Sequence, residues 1–329
     1  MKNYQNFVGI DVSKATLDIG FFNEKTPNEI KYLQIKNTDK SISELLKKLP
    51  ANSLICFEHT GNYGLKLCYI FSKKKIDYWV VNPLEIKRSK GLVRGKSDKA
   101  DSKDIANYAF THKHKVKLHI MPDEQLLKIR LLLAQRDKFV KCIGMLTNTN
   151  ETLSNHPNKV KKAVLQTTAN SVKYLKKQLA IIANKIKAIL MENETLNKKV
   201  ELAKSVPGVG DQTALNLLIK TQGFTSFKNS RQFACYAGIA PFQYTSGSSI
   251  KGKTKVSNIA DKKMKALLSI AALSAKRYDP QLNAYFNRKV AEGKNKMLVM
   301  NNIRNKMIAR VFATVKRGTP YVNTAKYNA

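Results

Sequence analysis

The sequence predicts an α/β domain followed by two mostly helical regions, an α/β plus all-α class. Three patterns in the 329 residues indicate it. Short apolar runs alternate with amphipathic segments over 1–118, apolar residues recur at heptad spacing over 119–204, and glycine-containing turns separate helical segments over 205–329. A chain of this length exceeds what one hydrophobic core usually serves, so more than one domain is expected.

The first region has the pattern of a mixed sheet with helices on its faces. Two apolar runs, Phe7–Ile10 and Leu17–Phe22, flank a polar turn and predict a hairpin. The other predicted elements are strands at Lys31–Lys36, Ser53–Glu58 and Ile76–Val81 and helices at Ser41–Leu49, Tyr63–Lys74 and Asp98–Phe110. Ser41 and Glu44 fit a capping box, and a basic loop is expected over Lys87–Lys96.

The middle region predicts a coiled coil. Apolar residues at alternating three and four spacing form a heptad seam on both sides of Pro157, which separates two long helices. These helices can pair as a hairpin within one chain or pair with a second subunit, and the sequence leaves both open.

The final region begins with a glycine turn, Val206–Gly210, followed by a predicted helix from Gln212 to Ile219. Such a turn indicates a helix-hairpin-helix contact to a phosphate backbone, although it is also an ordinary helix connector. Beyond it we expect helices at Arg231–Gly238 and Lys262–Ala275 and a polar loop at Gln243–Lys255, and then a tail with a basic helix face carrying Arg304, Lys306 and Arg310.

The charge identifies the class of partner. Lys and Arg number 59 against 23 Asp and Glu, a formal charge of +36, so a polyanion is expected, nucleic acid before an anionic membrane. The longest apolar run, Ala266–Ala275, is about half of what a spanning helix needs, and no signal peptide is evident, so a cytoplasmic, nucleoid-associated protein is expected. Residues 205–329 hold 21 basic and 4 acidic residues, whereas 12 of the acidic residues lie in 1–120.

Cysteine and histidine show no metal-ligand spacing. The four cysteines, Cys56, Cys68, Cys142 and Cys235, include no C-x-x-C pair and are expected to be reduced thiols. His112 and His114 lie in a basic stretch, where phosphate contact or solvation is the expected role.

Four carboxylates are candidates for a metal site: Asp11, Glu58, Asp98 and Asp101. Asp11 interrupts an apolar strand and Glu58 ends another, where burying an unpaired carboxylate is costly. Asp98 and Asp101 share one helix face. Together such groups can hold two Mg²⁺ ions roughly 3.5–4 Å apart for phosphodiester chemistry. The alternatives are a helix cap at Asp98 or surface ion pairs, and these are preferred for Asp18 and Asp104.

A second candidate is the hydroxyl-rich loop around Ser246. A serine there could attack phosphorus if a base or metal activated it. Alternatively, the loop only binds a nucleic-acid backbone, through its hydroxyls and through Lys251, Lys253 and Lys255. The residues alone favour this second interpretation, because no base is identifiable near the serine.

Several motifs in succession resemble the DEDD transposases of the IS110 insertion-sequence group. They are Gly9–Lys14, Phe57–Tyr63, Asn82–Pro83, Lys96–Asp101, Pro207–Gly210, Arg231–Pro241 and the Ser246–Gly247 loop. Each motif is weak alone, but their order over nearly the whole chain is specific.

The resemblance implies a RuvC-like, RNase H-type domain over 1–118, a coiled coil over 119–204 and a transposase domain over 205–329. It implies that Asp11, Glu58, Asp98 and Asp101 hold Mg²⁺, with Mn²⁺ as the alternative ion. It also implies a serine nucleophile in a Ser-Ser-Gly-like stretch, which here reads Thr245–Gly247. The threonine departs from the pattern, so Ser246 is preferred, with Ser248 or Ser249 as fallbacks.

The resemblance further implies partners: donor and target DNA, a structured bridge RNA and a homo-oligomer, either a dimer or a tetramer, whose composite sites join domains of different subunits. Base pairing between the RNA and the DNA would then select the sequence, while the protein binds the nucleic-acid backbones. Two alternatives stay open, a junction-resolvase-like metal nuclease without a covalent serine intermediate and a non-catalytic nucleic-acid-binding protein.

Overall fold

The chain separates into two compact units, residues 1–121 and 122–329. The computed structural model describes residues 2–27, 29–91, 97–153, 155–247 and 249–323. The predicted helical region 119–204 falls almost entirely within the second unit. Its buried residues, such as Leu133 and Ile182, belong to the same hydrophobic core as the C-terminal helices.

The first unit is a mixed α/β fold. Its strands are β1 (Asn6–Val12), β2 (Thr16–Asn23), β3 (Lys31–Lys36), β4 (Ser53–Glu58) and β5 (Tyr78–Val81), and its helices are α1 (Asp39–Lys47), α2 (Leu65–Lys73), α3 (Pro83–Ser89) and α4 (Asp98–Thr111), with a 3-10 turn at Lys113–Lys115. The sheet order is β3-β2-β1-β4-β5. The β1–β2 and β2–β3 pairs are antiparallel, and the β1–β4 and β4–β5 pairs are parallel. This mixed sheet is compatible with an RNase H-like domain.

Alternating side chains give the sheet two buried faces. Ile10 and Phe57 point to one face, where they pack with residues of α1 and α2. Phe7 and Cys56 point to the other, where they pack with residues of α3 and α4. The continuous apolar runs that predicted β1 and β4 therefore reflect helices on both sides.

Gly9 sets how closely α4 approaches the sheet. A Cβ atom built at Gly9 would lie 2.2 Å from the backbone nitrogen of Ala106 and 2.3 Å from the carbonyl oxygen of Ser102. No rotamer change can relieve contacts with backbone atoms, so any other residue must displace the helix.

Two local predictions in this unit were wrong. The N-cap of α1 is Thr38, whose hydroxyl accepts a hydrogen bond from the Ser41 backbone N–H, so Ser41 lies inside the helix. The predicted basic loop begins later than expected, because Asn82 caps the short helix α3 through the Leu84 N–H. Residues 92–96 of that loop lie outside the described residues.

The second unit is mostly helical. Its elements are α5 (Glu124–Thr152), α6 (Asn158–Glu192), α7 (Glu194–Lys204), α8 (Asp211–Lys220), α9 (Ser230–Tyr236), β6 (Pro241–Ser246), β7 (Ile250–Val256), α10 (Lys262–Tyr278), α11 (Pro280–Ala291) and α12 (Lys296–Arg317). Helices α5 and α6 flank Pro157 as predicted and contact each other within the chain. Their seam is buried near the C-terminal core, at residues such as Ile129 and Ile186, whereas Val140 is exposed. The coiled coil itself stays a prediction.

Two predictions in the C-terminal region were wrong. Gln243–Lys255 is not a loop but the main part of an antiparallel β6–β7 ribbon. The basic helix face does not form, because Arg304 is only 9% exposed and Arg310 pairs with Asp279 at 2.6 Å. Burial lowers the pKa of the Arg304 guanidinium.

All four cysteines are free thiols: Cys56 and Cys68 are buried, and Cys142 and Cys235 are half-buried. Among the described residues, no helix combines the length and apolarity that crossing a bilayer requires.

The close packing at Gly9 predicts a strong, local stability effect. Gly9→Ala should lower the free energy of unfolding of the first unit by about 2–3 kcal/mol or more, because the helix must move. Trp79, the single tryptophan of the chain, lies in this unit, so urea unfolding followed by its fluorescence measures the change. Gly64→Ala is the control, since its Cβ would lie 3.4 Å from the Phe57 ring, and a Gly9 effect no larger than this control would contradict the argument.

Candidate active site

The first candidate site is built where β1 passes beneath the start of α4. Asp11 lies two residues beyond Gly9 on the same face of β1, and Asp98 lies four residues before Ser102 on α4. Two residues along a strand and four residues along a helix both span about 6–7 Å. Asp11 and Asp98 therefore lie at similar distances from the Gly9 contact, at one edge of the interface between β1 and α4. The start of α4 also contributes a positive dipole end near these acidic groups.

Three of the four predicted carboxylates meet there. Asp11, Asp98 and Asp101 each offer an oxygen, and these oxygens all lie within 4.8 Å of one another. The pKa of Asp11 is raised, first by burial and then by the charges of Asp101 and Asp98. Three carboxylates this close, one with a raised pKa, form a donor set that fits a divalent cation with oxygen ligands.

Lys90, which the sequence reasoning missed, enters this cluster from the end of α3. Its ammonium lies 2.6 Å from an Asp101 oxygen and 3.1 Å from an Asp104 oxygen. The ammonium therefore offsets part of the repulsion at Asp101. The only sequence signal was its place in a basic stretch, which does not reveal which acidic residue it meets.

Glu58 lies beside this cluster without joining it. It follows the Ile10–Phe57 register pair at the end of β4, which places its backbone next to that of Asp11 on the neighbouring strand. Its carboxylate oxygens are not among those that lie within 4.8 Å of one another. A fourth ligand role for Glu58 therefore stays a proposal.

The sequence analysis offered helix caps and surface ion pairs as alternatives to metal binding, and the structure confirms only some of them. Ser97, not Asp98, caps α4, since its hydroxyl accepts from the Ala100 N–H. Asp104 forms the ion pair with Lys90 that the alternative expected. Asp18 was misjudged: it is 2% exposed, directly opposite Asp11 in the β1–β2 register. Tyr32 and Gln34 on β3 donate to it at 2.5 and 3.0 Å.

The serine candidate lies in the second unit. Ser246 ends β6, pairs in register with Ile250 and is exposed. Gly247 turns the chain with a φ of 56°, and Ser249 is exposed in the same turn, whereas Ser248 lies outside the described residues. Among the described residues no titratable side chain hydrogen-bonds to the Ser246 hydroxyl.

The glycine turn joins α7 to α8 as predicted. Gly208 has a φ of 87°, and a Cβ there would lie 2.4 Å from the Ala271 carbonyl oxygen, so the turn packs tightly on α10. Asp211 in the first turn of α8 pairs with Lys204 at 2.9 Å. A phosphate contact at this turn stays a proposal.

The basic chain, its mixed sheet and its carboxylate cluster are together typical of enzymes that act on phosphodiesters of nucleic acid. Comparison with known families agrees. Residues 8–156 match the DEDD-type profile of IS110 proteins, described as Transposase, and residues 200–287 match the Transposase IS116/IS110/IS902 family. The chain belongs to this IS110 family of transposases and is a DNA transposase or recombinase.

Its relatives include proteins with recombination roles. The chain is 25% identical to the pilin gene-inverting protein of Moraxella bovis, over 96% of this chain and 98% of that protein. It is 25% identical to the transposase for insertion sequence element IS1533 of Leptospira borgpetersenii, over 68% of this chain and 72% of that protein. An IS110 element protein of Streptomyces coelicolor is 32% identical over 36% of this chain and 29% of its own length.

The raised pKa of Asp11 predicts a pH dependence in metal-free buffer. A carboxyl with a pKa higher in the folded than in the unfolded state contributes stability at low pH that is lost as pH rises through the folded value. The free energy of unfolding of the wild type should therefore fall, relative to Asp11→Asn, as pH rises above the ordinary value of 3.8. Urea unfolding in EDTA, followed by Trp79 fluorescence, measures this difference, and parallel profiles would contradict a raised pKa of Asp11.

The cluster also predicts direct metal binding. Wild-type protein should bind Mn²⁺, measured by loss of the free-ion electron paramagnetic resonance signal, and Mg²⁺ should compete. Asp98→Asn should weaken Mn²⁺ affinity by at least about tenfold, since changes even beyond the direct ligands can cost that much. Asp39→Asn is the control, because its side chain is 79% exposed at another helix start. Equal affinity in the two variants would rule out Asp98 as a ligand.

Proposed function

We propose that this transposase excises and inserts its element by transesterification, with a serine nucleophile, a carboxylate-held metal and a guide RNA. The observation that carries the proposal is the convergence of Asp11, Asp98 and Asp101 within 4.8 Å. Three carboxylates this close together in a chain with charge +36 favour a bound divalent cation, and a phosphodiester substrate explains why such a site would be kept.

The metal would be Mg²⁺, with Mn²⁺ as the alternative ion. Asp11, Asp98 and Asp101 would hold it, with Glu58 as the neighbouring ligand on β4. When bound, it would stabilise charge on the attacking and leaving oxygens of the phosphodiester. Lys90 would keep Asp101 in position and limit repulsion among the carboxylates before the metal binds.

The proposed nucleophile is the Ser246 hydroxyl oxygen. It would form a bond to a DNA phosphorus as one phosphorus–sugar oxygen bond breaks, and the serine proton would pass to a base or to the leaving oxygen. The phosphate ester is conserved in the covalent intermediate, so a free sugar hydroxyl can reverse the step and join a new strand. The exposed place of Ser246 at a strand end supports access to a polymeric substrate.

The proposed partners are donor DNA, target DNA and a structured bridge RNA, bound by a homo-oligomer with two or four subunits. The charge distribution supports two polyanions, because basic residues exceed acidic ones in all three regions of the chain. Base pairing would select the sites, as in other RNA-guided systems, and the protein would hold backbones.

One observation favours a second mechanism. Because no described titratable group contacts Ser246, a junction-resolvase-like metal nuclease could cut DNA with an activated water, with the serine only binding backbone. The covalent intermediate separates the two mechanisms.

The covalent intermediate gives the decisive prediction. Protein incubated with Mg²⁺, the element's non-coding RNA and end-labelled duplexes carrying the element's ends should form a protein–DNA adduct that survives denaturing electrophoresis. Ser246→Ala should abolish the adduct, because no oxygen remains to bond phosphorus. Asp11→Ala should abolish it as well, because the metal ligands are incomplete.

The matched control is Ser249→Ala, which changes an exposed hydroxyl in the same turn and should leave the adduct intact. An adduct with Ser246→Ala would assign the nucleophile elsewhere. Cleavage by the wild type with no adduct would favour the metal nuclease, and omission of the RNA with no loss of activity would remove the guide from the mechanism.

A further inference from the structure

The β6–β7 ribbon extends from the second unit with little apolar cover. Every residue of β6 is exposed, including Phe242 at 48% and Tyr244 at 70% exposure. A lone two-stranded hairpin is marginally stable in water, and adjacent exposed apolar side chains, unlike ones scattered singly, indicate an interaction surface. Phe242 and Tyr244, two residues apart on one strand, therefore indicate a surface for a ligand.

The Tyr244 ring packs against the backbone of a glycine on the neighbouring strand. Tyr244 pairs in register with Gly252, and a Cβ atom at Gly252 would lie 2.8 Å from the Tyr244 Cδ1 atom. The ring therefore lies against the glycine backbone while most of the residue faces solvent. A ring fixed in this way loses little conformational freedom when a flat ligand packs on it.

The same face of the ribbon carries Ser246. The register runs without interruption through the pairs Tyr244–Gly252, Thr245–Lys251 and Ser246–Ile250, so residues 244 and 246 point to one side. They are separated by roughly 7 Å along the strand, close to the spacing of successive phosphates in an extended nucleic-acid strand.

The charge of the ribbon fits a nucleic-acid strand and not an apolar protein surface. Residues 241–256 contain three lysines and no acidic residue. Lys251, Lys253 and Lys255 are exposed, and in the described part of the chain none of them forms an ion pair. Lys251 pairs with Thr245 and so points to the side opposite Tyr244, whereas Lys255 pairs with Phe242 on the side of Tyr244. An aromatic ring near an unpaired cation is one arrangement by which proteins bind single strands, through stacking and phosphate contact.

We propose that Tyr244 is a stacking site for an unpaired DNA base next to the phosphate that Ser246 addresses. Lys255, which pairs in register with Phe242 on this side of the ribbon, would neutralise a flanking phosphate. This inference rests on the proposed function, since it places the attacked strand against Tyr244. The base must be unpaired, because a ring can stack on its π-face only when the neighbouring base has moved away.

The test places a reporter at the site. Trp79 is the single tryptophan and is 6% exposed in the other unit, so the Tyr244→Trp variant adds one exposed fluorophore on the ribbon over a constant background. The probes are a 12-nucleotide thymidine single strand and an abasic strand with the same number of phosphates. The added emission should be roughly halved by the thymidine strand and scarcely changed by the abasic strand.

Affinity gives an independent measure. Tyr244→Ala should weaken binding of the thymidine strand about tenfold and leave binding of the abasic strand unchanged, whereas Tyr244→Phe should retain wild-type affinity. Tyr278→Ala is the matched control, since this α10 tyrosine is 68% exposed, and it should affect neither strand.

An adduct without quenching would overturn the inference, as would three further results. They are equal quenching by the two strands, equal weakening of both by Tyr244→Ala, and a change in Tyr244→Trp emission with protein concentration alone, which would assign the ribbon to a second copy of the chain. The quenching is also measured in the Tyr244→Trp variant that carries Ser246→Ala, in which Ser246 cannot form a covalent bond to the strand. Quenching without any adduct from the serine-bearing protein would retain the stacking site and reject the serine mechanism, whereas an adduct without quenching would reject the stacking site alone.

Discussion

The contact between a bare glycine and a helix backbone fixes the geometry of the carboxylate site. At Gly9, β1 and α4 approach until backbone atoms of Ser102 and Ala106 occupy the space of a side chain. From this contact the strand and the helix each continue with a fixed rise per residue. The distance between Asp11 and Asp98 is therefore set by the contact at Gly9. A shift of α4 by the width of a methyl group would separate the carboxylates.

The same closeness creates an electrostatic cost. Asp11 lies near Asp98, Asp101 and the buried Asp18, and the pKa of Asp11 is raised by burial and by all three charges. The fold reduces this cost locally, with Lys90 on Asp101 and with Tyr32 and Gln34 on Asp18. Among the described residues, no side chain forms a comparable hydrogen bond or ion pair with Asp11.

The sequence predicted the sheet, the two long helices and the principal acidic residues, because these depend on local periodicity and on the cost of burying charge. It failed where tertiary contacts decide. Asp18 lies in an ordinary strand pattern, and only the pairing of β2 with β3 shows that Tyr32 and Gln34 reach it. The ribbon was mistaken for a loop because its serine, glycine and lysine residues lack an apolar alternation, since neither of its faces is buried in the chain.

The basic face predicted for α12 failed for a related reason. Helical spacing places Arg304 and Arg310 on the surface only if no other helix packs there, and Arg304 is instead 9% exposed against the C-terminal core. Charge counts along a sequence therefore overstate the cationic surface of a helical domain.

The acidic residues of the last region show what charge remains for a ligand. Each of the four is held by a nearby cation: Asp211 by Lys204, Asp261 by Lys220, Asp279 by Arg310 and Glu292 by Lys289. Two of them, Asp261 and Asp279, also cap α10 and α11, so their negative charge stabilises helix starts. Because the acidic residues of this region are paired within the fold, its remaining basic residues, among them the exposed lysines of the ribbon, are the positive charge available to a polyanion.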